Sequence, residues 1–163
     1  MDEETISYII RPILTEETHL LRDFLYEAIY VPPGVEPPAK EVVDIPELKL
    51  YIDNFGKRID DICLVAECCG KVAGAVWARI MNDYGHIDDR TPSVAISLHK
   101  EYRNRGIGTR LMKEIIELLT VKKYGKVSLS VQKSNYAVGM YLNLGFEIEK
   151  ETDEEYVMVK VLA

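Results

Sequence analysis

The sequence holds no apolar run near the roughly 20 residues that cross a bilayer, so neither a membrane span nor a membrane partner is expected. Cysteine is scarce. Cys63, Cys68 and Cys69 are the only three, and three cannot all pair with one another. Neither Cys-x-x-Cys nor His-Glu-x-x-His occurs, so no metal, zinc included, is expected. Reduced thiols in a cytoplasmic protein are the simplest reading. Positive charge is also short: 20 Lys and Arg stand against 27 Asp and Glu, a net charge of −7. Broad nucleic-acid binding relies on a positive surface and is not expected. A cationic acceptor such as an amine is compatible with this balance. No Gly-x-Ser-x-Gly elbow is present, so no covalent enzyme intermediate is expected. The opening Met1-Asp2-Glu3-Glu4 is acidic without an apolar core, which is not the pattern of a signal peptide.

What is there reads as one domain, residues 1–163. Apolar residues make up 47% and charged residues 29%, the balance of a soluble globular chain with one substantial core. Ser7 to Ile13 reads as a strand that stops at Pro12, because proline cannot donate to the ladder. Thr15 is expected to cap a helix, with Thr18 in its third position and Glu16 and Glu17 in its first turn. Leu20, Leu21, Phe24, Leu25, Ala28 and Ile29 recur at helical spacing and define its buried face. Pro32, Pro33, Pro37 and Pro38 then make a semi-rigid loop. Ile45-Pro46-Glu47 opens a second helix that carries Leu48, Tyr51, Ile52 and Phe55 to Gly56.

Three strands follow. Ile62 to Glu67 turns through Cys68-Cys69-Gly70-Lys71 into Val72 to Met81, where Gly74 suggests a bulge or a close approach. Trp77 and Arg79 lie on one side of that strand, and Arg79 is expected to pair with a neighbouring acid. After a polar loop, Ser93 to His99 alternates Val94, Ile96 and Leu98 with Ser93, Ala95 and Ser97, a period of two. His99 reads as a rim residue. Leu111, Ile115, Leu118 and Leu119 place the next helix on the sheet. Lys126 to Val131 is a strand, Ser134 or Asn135 caps a helix that Gly145 ends, and Glu147 to Lys150 and Tyr156 to Val161 close the chain as strands. The order βααβββαβαββ predicts an α/β fold, a mixed sheet with helices on both faces.

The stretch Arg103-Asn104-Arg105-Gly106-Ile107-Gly108-Thr109 joins a strand to a helix. Two glycines let an anion approach the backbone. The helix start offers unpaired N–H groups and a positive dipole end, which suits phosphate. A dinucleotide fingerprint fails, because Leu111 stands where a third glycine is needed, and no Walker loop is present. Arg-x-x-Gly-x-Gly over Arg103 to Gly108 resembles the acetyl-CoA pyrophosphate loop of the GNAT family of N-acetyltransferases. A second stretch, Asn135-Tyr136-Ala137 through Tyr141 to Gly145-Phe146, is similar to that family's other signature. The resemblance runs from Ile62 to Phe146 and is weaker over Val31 to Asp61.

The resemblance implies a GNAT-like, mostly antiparallel sheet with splayed central strands, and direct acetyl transfer from acetyl-CoA, as co-substrate, to an amine. The implied cofactor-binding residues are Ile96, Leu98, Arg103, Asn104, Arg105, Gly106, Ile107, Gly108, Thr109, Asn135 and Tyr141. It makes the Leu98 N–H the donor to the thioester oxygen and Tyr141 the general acid. Tyr141 also fits a core stripe with Ala137, Met140 and Leu144, and Asn135 also fits a helix cap. The general base is open. Ser93 stands where many members carry a glutamate, and a serine is no base unaided. His86, Asp88, Asp89, Glu27 and Tyr30 are the further candidates for a base or the acceptor site. The acceptor is expected to be a small-molecule or peptide amine, and a homodimer is left open. A silent acyl-CoA sensor, or an O-acyl or longer-chain acyltransferase on the same scaffold, remain the alternatives.

Overall fold

The computed structural model describes residues 6–162; the acidic opening Met1 to Glu4 lies outside them. Seven strands form one sheet: β1 (Ile9–Pro12), β2 (Ile62–Cys68), β3 (Lys71–Arg79), β4 (Ser93–Leu98), β5 (Lys126–Gln132), β6 (Glu147–Glu151) and β7 (Glu155–Val161). Their spatial order is β1-β2-β3-β4-β5-β7-β6. Every pairing is antiparallel except that of β4 with β5. The helices are α1 (Leu21–Ala28), α2 (Pro46–Lys49), α3 (Ile107–Val121) and α4 (Ala137–Asn143). The expected element order and the mixed sheet are both present. Among the described residues no helix is long and apolar enough to cross a membrane.

The sheet carries a core on each face, as period-two side chains require. Leu64, Ala66, Val76, Ala78 and Val94 pack with Ile107, Leu111, Met112, Ile115 and Leu119 of α3. Those five α3 residues fall on one helical face, and each contributes about 1.5–3 kcal/mol by burial. Cys63, Val65, Ala75 and Trp77 pack on the other face with Leu21, Phe24 and Leu25 of α1 and with Tyr51. Ser93 and Ser97 point to this second face and are buried with it. The alternation in β4 therefore separates two covered faces rather than core from water. The outermost strand β6 is exposed and charged, which guards its free edge against pairing.

Two local expectations are corrected. Thr15 does not cap α1. A 3-10 turn, Thr15–Leu20, precedes the helix, and Leu14 occupies the cap position. The Glu17 carboxylate accepts the Leu14 N–H at 2.9 Å and binds Arg11 through both oxygens at 2.8 Å. The second helix stops after Lys49 and continues as turns. The cause is Arg79, buried to 0% exposure. Its guanidinium takes the carbonyls of Leu50 (3.0 Å) and Asp53 (2.7 Å), and the Trp77 indole takes that of Tyr51 (3.1 Å). Carbonyls turned toward the sheet are lost to a helical ladder. The guanidinium also pairs with Asp61 at 2.9 Å through two nitrogens, so the expected acidic partner is present.

Candidate active site

β4 and β5 meet at one residue pair, Ser93 opposite Ser128, and then diverge. The divergence leaves an opening bordered by Ile96 and Leu98. The direction of their backbone groups follows from β3. The His99 N–H donates to the Ala73 carbonyl at 2.9 Å. Strand groups alternate, so the N–H groups of Ile96 and Leu98 point the other way, into the opening. Ala73 is the extra residue of a bulge, since Ala66 pairs with Gly74 and Glu67 with Val72. Gly74 is required for a different reason: a Cβ there would stand 2.1 Å from Leu98 Cδ2 and 2.9 Å from the Ser97 carbonyl oxygen. The bulge and close approach suggested by Gly74 thus coincide, and both bear on Leu98.

The glycine loop follows directly. Asn104 (φ 62°) and Gly106 (φ 83°) adopt left-handed conformations that reverse the chain into α3. Gly106 is needed for its backbone. Gly108 is not, for an added Cβ would only touch Leu98 Cδ1 at 3.5 Å. Space, rather than conformation, is what Gly108 provides beside the opening. The N–H groups of Ile107, Gly108 and Thr109 begin α3 and have no acceptor within it, while Arg110 N–H closes the first turn on the Gly106 carbonyl. Ile107 anchors the turn in the core at 0% exposure. Arg103 turns away from the helix start: Nε donates to the Leu98 carbonyl at 3.0 Å and Nη2 to Glu27 Oε2 at 2.9 Å. It ties the end of β4 to α1. Arg105 lies near Cys68.

Tyr141 lies on α4 in the core on the α3 side of the sheet, buried at 8% exposure. Its ring meets Phe146 edge-on at 5.9 Å. Burial first, and Tyr136 second, push its phenol up to about 12, so it holds its proton at neutral pH. Asn135 accepts the Ala137 N–H at 2.9 Å through its side chain and starts α4. Gly145 (φ 94°) ends that helix.

The candidate bases are scattered. Glu27 is paired with Arg103. The Tyr30 hydroxyl donates to the Ser134 carbonyl at 3.1 Å, linking the end of α1 to the loop before α4. His86 directs Nδ1 to the Met81 carbonyl at 2.8 Å. Asp88 and Asp89 line a groove of about 550 Å3 with Tyr124 and Lys126, at the end of β4 away from the glycine loop. His99 packs against Phe24 with its ring tilted by 39° and the ring centres 4.7 Å apart. At the closed end of the opening, sequence reasoning missed a residue. Ser93 Oγ donates to Asp83 Oδ1 at 2.7 Å, and the Tyr51 hydroxyl lies beside Asp83 and Ser130. The one signal was Ser93 itself, because a buried hydroxyl needs an acceptor.

Comparison with known proteins identifies the family and the fold. The profile described as "Acetyltransferase (GNAT) family" matches residues 24–146. An acetyltransferase of Sodalis glossinidius is 35% identical over 90 residues, which cover 55% of this chain and 59% of that protein's length. A GNAT acetyltransferase structure from Streptococcus pneumoniae superposes with a TM-score of 0.70 at 22% identity, covering 96% of this chain and all of the other. The paia N-acetyltransferase of Thermoplasma acidophilum, in complex with coenzyme A, has a TM-score of 0.70 at 20% identity and covers 96% of this chain and 99% of its own. At these identities the two structures establish the fold.

Proposed function

This chain belongs to the acetyltransferase (GNAT) family, and from that premise we propose that it is an acetyl-CoA-dependent N-acetyltransferase, a single domain over residues 1–163 that acts on an amine. The observation that carries the reading is the opening between β4 and β5, where strand N–H groups face a space beside the start of α3. Gly106, Ile107, Gly108 and Thr109 receive the pyrophosphate, and Asn104 and Arg105 border the same loop. Gly108 fits this role because neither its φ nor its neighbours require a glycine. Ile96 and Leu98 pair with the pantetheine arm as a further strand would. The Leu98 N–H polarises the thioester oxygen and favours the oxyanion that forms there. Asn135 sets the start of α4 and so the position of Tyr141.

The transfer needs no enzyme nucleophile. A neutral amine attacks the thioester carbon, the C–S bond breaks, and the thiolate takes a proton from the Tyr141 phenol. Tyr141 regains a proton from the nitrogen that has become an amide. A phenol raised to about 12 is a weak acid toward an exposed thiolate, but a leaving thiolate in the same dry opening is desolvated as well, which narrows the gap. Arg103 serves as a positioning residue through the Leu98 carbonyl and Glu27.

The test has two arms. Acetyl-CoA should raise the melting temperature, since a ligand bound only by the folded state stabilises it, and Gly108→Asp should abolish that rise. A panel of amines should then release free thiol from acetyl-CoA. An unchanged shift in Gly108→Asp would place the cofactor elsewhere. Binding without turnover on any amine would mark a silent acyl-CoA module, and turnover on alcohols alone an O-acyltransferase.

A further inference from the structure

Asp83 holds a carboxylate in a half-buried position at the closed end of the opening. It is fixed there by hydroxyls from other parts of the chain. Ser93 of β4 donates to it at 2.7 Å, and Tyr51, after α2, lies against it. Burial first, and Asp83 second, push the Tyr51 phenol well above its usual range, so it stays protonated beside the carboxylate. The loop is fastened to β5 as well: Ser128 Oγ donates to the Gly85 carbonyl at 2.7 Å, and a Cβ on Gly85 would stand 3.0 Å from the Leu129 backbone. Among the described residues no Lys, Arg or His forms an ion pair with Asp83. Tyr51 is the titratable side chain set against it, and the nearby His86 is turned to Met81 and Asp89.

A carboxylate anchored by the Ser93 hydroxyl and without a cationic partner among the described residues offers a seat for one. The reaction brings one, because a primary amine is almost wholly protonated at neutral pH. Resting on the N-acetyltransferase reading above, we infer that Asp83 receives the acceptor's ammonium group and accepts its proton as the amine attacks. Ser93, Ser128 and Ser130 share the face of the sheet on which Tyr51 and Asp83 sit, opposite α3. The acceptor thus enters from the α1 and α2 side, and the glycine loop serves the other reactant. Leu98, whose N–H faces the thioester oxygen, lies five residues from Ser93, about 17 Å along β4, so Asp83 draws the ammonium toward the opening and takes its proton along a chain of ordered waters. In the step, an N–H bond of the ammonium breaks and an O–H bond forms on the Asp83 carboxylate by relay along those waters. The freed lone pair bonds to the thioester carbon. The nitrogen's second proton restores Tyr141 after the phenol has protonated the thiolate, and Asp83 returns its proton to solvent.

The experiment is the pH profile of kcat/KM for the wild-type protein and for Asp83→Asn, measured as thiol release from acetyl-CoA with two primary amines of different pKa. Asparagine keeps an oxygen for the Ser93 hydroxyl, so the loop stays in place. The wild type should level off at the same pH with both amines. Asp83→Asn should lose on the order of 10²-fold at neutral pH, and its profile should climb about tenfold per pH unit toward each amine's own pKa. KM for acetyl-CoA should hold, and Asp83→Glu should recover part of the loss. Wild-type activity in Asp83→Asn, or an equal loss at every pH with a lowered melting temperature, would overturn the inference and leave Asp83 structural. A wild-type protein that binds acetyl-CoA and releases no thiol with any amine would instead overturn the N-acetyltransferase reading, and the role of Asp83 with it.

Discussion

The buried pair Arg79–Asp61 should carry a large share of stability, and Asp61→Asn is the perturbation that exposes it. Both side chains are at 0% exposure, and two guanidinium nitrogens reach the carboxylate at 2.9 Å. Asp61 also accepts the N–H groups of Gly56 (2.9 Å) and Arg58 (3.2 Å). Asparagine fits the space but leaves a buried guanidinium charge without its counter-charge. Breaking such a pair from one side costs about 3–5 kcal/mol. With a urea m-value of about 2 kcal/mol per M, the unfolding midpoint should fall by roughly 2 M. The pH dependence has a definite sign. Burial raises the Asp61 carboxyl, but Arg79 and the two N–H groups outweigh it and hold the group below its usual range. Its stabilisation is therefore complete above the unfolded pKa of about 4 and is lost as pH falls through the lower folded value. Asp61→Asn should remove that part of the acid dependence. Adding Arg79→Met takes away the orphaned charge, so the double variant should be more stable than Asp61→Asn alone. A midpoint shift below about 0.5 M, or a double variant no better than the single one, would refute the reasoning. The pair also holds the Leu50 and Asp53 carbonyls on either side of Tyr51, so Asp61→Asn should loosen the Tyr51–Asp83 contact and raise KM for the amine.

Tyr141→Phe keeps the ring packed on Phe146 and removes only the proton donor. It should lower kcat by roughly 10²-fold with acetyl-CoA affinity nearly unchanged, and a kcat within a factor of two would reassign Tyr141 to packing. Gly74→Ala forces a Cβ within 2.9 Å of the Ser97 carbonyl and against Leu98. It should cost about 1–3 kcal/mol in urea unfolding and weaken acetyl-CoA binding by displacing Leu98; if both measurements stayed at wild-type values, the role given to Gly74 would be wrong.

The glycine loop was legible because its physics is local. Gly106 needs a left-handed φ, Gly108 leaves space, and a strand and a helix flank them within one short stretch. The period of α3, the Cys69-Gly70 turn and the Asn135 cap were legible for the same reason, since each depends on neighbours in sequence. Gly74 was legible in part: its strand position suggested a bulge or close approach, but that Leu98 is what it accommodates depends on the β3–β4 register.

What failed to appear in the sequence was set by groups far apart along it. The second helix was expected to run to Gly56, yet Arg79 takes its carbonyls from the adjacent sheet. Asp83 lay in a polar loop without periodicity or motif, and only folding placed it under Ser93 and beside Tyr51. The sequence by itself determined the order of elements, the two faces of each strand and the glycine loop that turns into α3, because backbone conformation and side-chain period are short-range properties. The tertiary structure alone decided where β4 and β5 part, which carboxylate stands at their junction and which acid receives Arg79, because a buried charge or hydroxyl chooses its partner by distance in space.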